Sequence, residues 1–324
     1  REREMVVVWA YDESMGKLVL SILILLFLLV LYMRRKYSPS IYLLDYACIK
    51  EDDENKATIE RLIYFSGELK TITMKDILFQ IKVFLKSGIG EEAYVPRSNL
   101  MKGHSMGIQD YYEQADILVV GAVEKVLRKT AISPQLIDVV VVNSGMFNPT
   151  PSLASLLIHR FKMRADVKSY HLSGMGCSAS LIAIDLAKDL LSVHGPRGAR
   201  FALVASTEIL GSLYDGKHRS MMVTNCLFRS AGNALLLSNR KLPGAKLQLS
   251  HLVRVNTAAH DDAHYAVVVK EDEDGVFGAE LSPQLIDVAT KAINVNMTKL
   301  APKVLPFREL AKAGFNQLQR HVLK

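Results

Sequence analysis

The stretch GMGCSASLIAIDLAKDLLSV, residues 174–193, decides the fold. Its glycines allow tight or positive-φ backbone geometry, which lets a ligand approach closely. The run that follows is apolar almost all round its first turns, which is typical of a buried helix. We therefore predict a helix that is central in the fold rather than peripheral, with Cys177 at or near its N-terminus.

Cys177 is the candidate nucleophile of this stretch. The unpaired N–H groups and the positive dipole end at a helix N-terminus favour a thiolate. The same N–H groups can stabilise an oxyanion on an attacked thioester carbonyl, and Gly174, Gly176 and Ser178 would support that turn. The alternative is that Cys177 is a small core residue at a Gly-rich turn, because free cysteine is among the most buried residue types.

Short apolar runs on both sides of this helix predict a layered α/β fold around a mixed sheet. The runs DVVVVN (138–143) and FALVAST (201–207) are typical of strands buried on both faces. Further strands are predicted at 234–238, 247–255 and 265–270. Further helices are predicted at 74–86, 109–129, 152–161 and 282–297.

Residues 18–33 form an apolar run without charge, followed at once by Arg34, Arg35 and Lys36. A helix of this length spans roughly 24 Å, and snorkelling basic residues can extend it toward the ~30 Å hydrocarbon core. A cleaved signal peptide would carry its charge before the run, and a core helix would rarely lack a polar face. We predict a membrane anchor within residues 1–36, with the rest of the chain in the cytosol.

The composition argues against several classes of protein. An apolar content of 49% excludes disorder as the main state, and three cysteines cannot form a disulfide framework. The net charge of +7 favours anionic partners, but the basic residues form no stripe for nucleic acid. The cluster His260, Asp261, Asp262 and His264 is interpreted as a solvated loop, and no phosphate-binding glycine motif occurs. We expect no nucleic-acid partner, no metal and no cofactor.

A cysteine nucleophile usually needs a base. His171 lies six residues before the candidate nucleophile, on a predicted strand. His251 lies in a strand-like run and His159 at a helix end, and the sequence does not show which histidine comes near the thiol. Cys226 is interpreted as a core residue. Cys48 is interpreted as a packing residue, with palmitoylation as the alternative.

Several motifs together resemble the plant 3-ketoacyl-CoA synthases, the condensing enzymes of very-long-chain fatty acid elongation. The resemblance runs from about Tyr42 to Phe307 and covers most of the chain. Its markers are YLLDYAC (42–48), SGIGEEAYVP (87–96), GMGCSA (174–179), IDLAKDLL (184–191), STE (206–208), NCLFR (225–229), LSNR (237–240), EDEDG (271–275) and LAPKVLP (300–306).

The resemblance implies a thiolase-like fold of two similar α/β halves, with Cys177 as the catalytic nucleophile of the first half. It implies a decarboxylative Claisen condensation, in which Cys177 takes an acyl group from a long-chain acyl-CoA. The enolate of malonyl-CoA then attacks that thioester and gives a 3-ketoacyl-CoA. The CoA thioesters are substrates, and no cofactor is implied. The implied setting is the endoplasmic reticulum membrane, as a homo- or heterodimer with related synthases.

The C-terminal part of the sequence departs from that family. The family carries a His in a His-Ala-Gly-Gly stretch and an Asn in a Gly-Asn-Thr-Ser stretch, and neither stretch occurs here. We therefore expect a truncated second half, with acylation of Cys177 weak and condensation slight or absent. A non-enzymatic partner of complete synthases remains an alternative, as does a membrane-tethered acyltransferase or thioesterase.

The expected organisation has four parts. An anchor over 1–36 is followed by a linker and peripheral segment over 37–105, in which the charged stretch 51–56 is expected to be exposed. The condensing domain is expected over 106–307, comprising the first half and the start of the second. Residues 308–324 are expected to form a divergent tail.

Overall fold

The computed structural model describes residues 19–29, 40–100, 106–193 and 200–322. The chain divides into two units, Arg1–Ser40 and Ile41–Lys324. In the first unit, residues 19–29 are helical, and the other positions of the predicted anchor lie outside the described residues. Within the described ranges, no helix is both long and apolar enough to cross a membrane.

The second unit is built on a six-stranded mixed sheet of order β3-β2-β4-β5-β1-β6. β2 pairs in parallel with β3 and β4, and the other pairs are antiparallel. β7 and β8 form a separate antiparallel pair. The strands are β1 (Ile41–Ile49), β2 (Val139–Ser144), β3 (Lys168–Leu172), β4 (Phe201–Glu208), β5 (Ala231–Ser238), β6 (Leu247–Leu249), β7 (Val267–Glu271) and β8 (Phe277–Leu281).

Helices cover both faces of this sheet. A π-helical segment, Asp116–Val120, joins α3 to α4, so the predicted helix at 109–129 is present with one irregular stretch. The helices are α1 (Ile59–Glu68), α2 (Met74–Ser87), α3 (Ile108–Ala115), α4 (Gly121–Thr130), α5 (Leu153–Phe161), α6 (Ala179–Val193), α7 (Arg219–Leu227), α8 (Asp261–His264), α9 (Leu285–Val304) and α10 (Phe307–Val322).

The valine run of β2 is buried over its whole length because helices pack on both faces of the sheet. Val140 and Val142 pack into the core shared with α3, α4 and α5. Val139 and Val141 point to the opposite face and pack against α6. The alternation of a strand thus divides one apolar run between two cores, as predicted for a doubly buried strand.

Helix α6 packs on the sheet through one face. Ala183, Ala187 and Leu191 lie four residues apart and are fully buried against β2 and β4. Leu181, on another face of the helix, is 63% exposed. The helix thus packs on the central strands of the sheet, as predicted, but among the described residues only its sheet-facing stripe is fully covered.

The prediction that residues 37–105 are a linker and a peripheral segment is wrong for their first part. β1 lies inside the six-stranded sheet, between β5 and β6, and is continuous with the core. Its pairing register shifts between Leu43 and Asp45. Ile41, before the shift, is buried in the core that contains α6, whereas Leu44 and Ala47 are buried in the core on the opposite face of the sheet. This irregularity removes the period-two alternation that identifies a strand from sequence.

The predicted strand at 247–255 is also corrected. β6 pairs only with the first three residues of β1, since Leu249 lies opposite Ile41, where β1 begins. Beyond that point the described residues give β6 no partner in the sheet. The strand-like sequence of residues 250–255 therefore forms irregular backbone.

Candidate active site

Cys177 lies in the 3₁₀ turn Gly176–Ser178, directly before the first residue of α6. The predicted position at a helix start is therefore confirmed. Gly174 and Gly176 have φ angles of +67° and +60°, in the left-handed region that favours glycine. The Ser178 hydroxyl donates a hydrogen bond of 3.1 Å to the Met175 carbonyl and closes the turn. The thiol is exposed, so the alternative of a core cysteine does not hold.

An open cleft of about 440 Å³ contains this thiol on its wall. The carboxyl ends of β2 and β4 meet here because the two strands are parallel neighbours, and such ends are the usual ligand site of α/β sheets. The described residues that line the cleft are Asn143, Gly145, Gly176, Cys177, Ser180, Ser206, Thr207, Glu208, Leu227, Phe228, Arg229, Ala231 and Asn233.

A buried polar network ties the start of α6 to the two strands. The Asn143 side chain, on β2, donates a 2.7 Å hydrogen bond to the Ser206 hydroxyl on β4. The Ser180 hydroxyl, in the first turn of α6, donates to the Asn143 side-chain oxygen at 3.5 Å. Asn143 and Ser206 are both buried, so these bonds fix the position of the turn that carries Cys177.

Glu208 is the carboxylate of the cleft. Its oxygens accept hydrogen bonds from the backbone N–H groups of Gly145 (3.1 Å) and Met146 (2.8 Å). Burial raises the pKa of Glu208, while those N–H groups act in the opposite direction. A Cβ atom at position 145 would lie 2.6 Å from the Glu208 carboxylate, so the contact requires glycine there. Sequence reasoning included Glu208 in a family marker but gave it no role in the site.

The three histidines named as candidate bases, each of which is better interpreted from sequence as a structural or exposed residue, lie elsewhere. No histidine is among the described residues that line the cleft. His171 lies on β3, where burial lowers its pKa and its Nε2 atom has no hydrogen-bond partner. His159 is in the last turn of α5, and His251 is exposed beyond β6. In the described ranges no group of three or more His, Cys, Asp or Glu residues could hold a metal ion.

The other two thiols differ from Cys177 in their surroundings. Cys226 is buried in α7, and burial raises the pKa of its thiol to about 11, which makes it a poor nucleophile at neutral pH. The interpretation of Cys226 as a core residue is confirmed. Cys48 is exposed on β1, so its interpretation as a packing residue is wrong.

A second cavity adjoins the cleft. Its volume is about 400 Å³, and Phe228 lines both spaces. The lining is mostly apolar, which suits an alkyl chain better than a polar group. Its apolar residues include Val95, Met146, Leu210, Leu213, Tyr214, Val276, Phe277 and Ala279.

The fold is shared with solved structures. The thiolase-like α/β fold with its mixed sheet matches solved type III polyketide synthase structures. CsyB in complex with CoA has a TM-score of 0.66 and 14% identity, covering 83% of this chain and 76% of that chain. A type III pentaketide synthase from Neurospora crassa has a TM-score of 0.65 and 18% identity, covering 82% and 74%. At this identity the two structures establish the fold alone.

Residues 31–322 match the family model described as FAE1/Type III polyketide synthase-like protein, and the chain belongs to this family. It is 42% identical to 3-ketoacyl-CoA synthase 16 of Arabidopsis thaliana over 86% of this chain and 58% of the relative. It is 38% identical to 3-ketoacyl-CoA synthase 8 of the same plant, over 92% of this chain and 63% of the relative. The chain thus spans about three fifths of these relatives, and the resemblance inferred from its motifs is confirmed.

Proposed function

We propose that the chain is a condensing enzyme of very-long-chain fatty acid elongation, which joins a long-chain acyl-CoA to malonyl-CoA through an acyl-Cys177 intermediate. The observation that carries the proposal is the exposed Cys177 thiol at the start of α6, in a cleft at the ends of two parallel strands. The similarity to plant 3-ketoacyl-CoA synthases supplies the substrate class.

The first step is transfer of the acyl group. The Cys177 sulfur attacks the thioester carbonyl of the acyl-CoA, and the bond from that carbon to the CoA sulfur breaks. The N-terminus of α6 presents its positive dipole end to the attacking thiolate and to the oxyanion that forms. Asn143 and Ser180 hold this helix end in place through their hydrogen bond.

The acyl chain needs an apolar space beside the thiol. The cavity of about 400 Å³ beyond Phe228 offers one, since Phe228 lines both the cavity and the Cys177 cleft. An alkyl tail that passes the Phe228 ring enters this cavity while its thioester stays at the Cys177 sulfur. We propose that the long acyl chain enters this cavity.

The second step forms the carbon–carbon bond. Malonyl-CoA loses carbon dioxide, its enolate carbon attacks the acyl thioester, and Cys177 leaves as thiolate. One hydrogen-bond donor to such an oxyanion is worth on the order of 10²–10³ in rate. The family resemblance assigns two donors to a His and an Asn in stretches that do not occur in this sequence.

The proposed setting is the endoplasmic reticulum membrane. Support comes from the apolar run 18–33 with its following basic cluster, of which residues 19–29 are helical. The Ile41–Lys324 unit would lie on the cytosolic side. A dimer with a second copy or with a related synthase is part of the same proposal.

Purified full chain, incubated with a long-chain acyl-CoA and radiolabelled malonyl-CoA, tests the reaction. We expect labelled 3-ketoacyl-CoA formation to depend on Cys177, so that it is lost in Cys177→Ser and unchanged in Cys48→Ser, the matched change at another exposed thiol. Acylation without product would favour a partner of complete synthases. Free fatty acid released without malonyl-CoA would indicate a thioesterase, and a Cys177→Ser variant with normal turnover would overturn the proposal.

A further inference from the structure

Helix α2 presents an apolar stripe to solvent. Met74, Leu78 and Leu85 are 69%, 59% and 68% exposed, although α2 also buries Ile77 and Phe84 on its inner side. At 100° per residue the three exposed side chains fall within a narrow sector of the helix surface. Such a contiguous exposed stripe is typical of an interaction surface.

Three lysines border this stripe on one side. Lys75, Lys82 and Lys86 are exposed, and their spacing of seven and four residues places them along one edge. None of them forms an ion pair with any residue in the described part of the chain, whereas Lys291 on α9 is paired with Asp262. The edge of the stripe therefore carries three uncompensated positive charges.

We propose that the outer face of α2 lies on an anionic lipid surface. An exposed apolar stripe with lysines along its edge is typical of a helix that lies in the membrane interface, with its apolar face among the acyl chains and its lysines at the headgroups. The three lysines favour lipid phosphate and carboxylate groups as the partner. This contact is separate from the anchor and does not depend on the condensation reaction.

The inner side of α2 connects this surface to the Cys177 cleft. The Arg229 guanidinium lies over the Phe84 ring at 5.7 Å, and Arg229 also lines the cleft. Arg219 lies over Phe79 at 5.1 Å and forms an ion pair with Asp76, which fixes α2 to α7. A membrane contact through α2 would therefore hold the cleft close to the lipid surface.

Hydroxyl-radical footprinting of the full chain tests this contact. The chain is placed in phosphatidylcholine vesicles with and without phosphatidylserine, and oxidation of Met74 is compared with that of Met297, an exposed methionine on α9. We expect oxidation of Met74 relative to Met297 to fall when phosphatidylserine is present. Each Lys→Gln change at 75, 82 or 86 should weaken the phosphatidylserine-dependent affinity for the vesicles, which the protection of Met74 reports, by about fivefold.

The matched controls are Lys299→Gln and Lys303→Gln on α9, which should leave the oxidation of Met74 relative to Met297 unchanged. A Met74-to-Met297 oxidation ratio that does not respond to phosphatidylserine would overturn the proposal. So would a triple Lys→Gln variant at 75, 82 and 86 in which Met74 is protected as well as in the parent protein. Protection of Met74 that rises with protein concentration in the absence of vesicles would also overturn it, because it would indicate a second copy on this face. None of these readouts requires acylation or condensation, so a failed enzymatic assay leaves them interpretable.

Discussion

Replacing Glu51 by glutamine should stabilise the protein at neutral pH. Glu51 follows β1 and is only 6% exposed, contrary to the prediction of an exposed charged stretch at 51–56. One carboxylate oxygen accepts a 2.8 Å hydrogen bond from the Asn55 amide, and the other has no described partner. Buried amide oxygens of Asn55 and Gln114 are also unpaired, so a new amide donor at position 51 can satisfy one of them.

The size of the stabilisation expected for Glu51→Gln follows from the protonation equilibrium of Glu51. Burial raises the pKa of this carboxyl from 4.5 to about 6, and the Asn55 hydrogen bond offsets only part of that effect. The folded chain thus holds this proton more tightly than the unfolded chain. The stability that this tighter proton binding contributes to the folded chain is fully present below pH 4.5 and is lost as pH rises through about 6. The loss amounts to about 2 kcal/mol, and the neutral amide avoids it.

Urea unfolding of the full chain in a mild non-ionic detergent, from acid to weakly alkaline pH, measures this effect. The free energy of unfolding of Glu51→Gln should exceed that of the parent protein by about 1–2 kcal/mol at pH 8, and the two values should converge in acid. Glu54→Gln, a matched change at an exposed carboxylate, should give no such difference. A Glu51→Gln variant that is less stable at pH 8, or that keeps the parent pH dependence, would refute the reasoning.

Further expected outcomes concern the same unfolding measurement. Gly232→Ala should lower the free energy of unfolding by about 3 kcal/mol or more, because a Cβ atom would lie 2.4 Å from the Leu118 carbonyl oxygen. Unchanged stability would contradict that close approach. Asp138→Asn should cost about 1–3 kcal/mol, because its carboxylate accepts from the Phe201 N–H at 3.0 Å and binds a guanidinium. Burial opposes ionisation of Asp138, but these donors lower its pKa, so its contribution should be lost as pH falls through that lowered value. Ala183→Leu should cost about 1–3 kcal/mol by overpacking α6 against the sheet, and a neutral result would show that this packing is loose.

The parts of the fold with regular local patterns could be predicted from the sequence. β2 and β4 are short, mostly apolar runs in a sheet covered on both faces, so their apolar composition alone identifies them as buried strands. The start of α6 follows from two glycines that need positive φ and from the apolar run behind them. Ser152 also caps α5 through its side chain, as its position before an apolar run predicts.

The parts that depend on tertiary pairing could not be predicted. β1 is a strand because β5 and β6 pair with it, while its bulge hides the alternation from a local view. Glu51 is buried where the Gln114 side chain of α3 comes near its carboxyl group, which no property of its charged neighbours reveals. Within the site, Asn143 and Glu208 lie 34 and 31 residues from Cys177 in sequence, and only the parallel pairing of β2 and β4 brings them to the thiol.

We propose that the position of Cys177, and not exposure alone, makes its thiol the acyl acceptor. Cys48 is also exposed and serves as an internal reference on the same chain. Full chain incubated with a long-chain acyl-CoA and digested for mass spectrometry should carry a hydroxylamine-labile acyl group on Cys177, formed far faster than any on Cys48. Equal acylation of the two cysteines, or none on Cys177, would contradict the account.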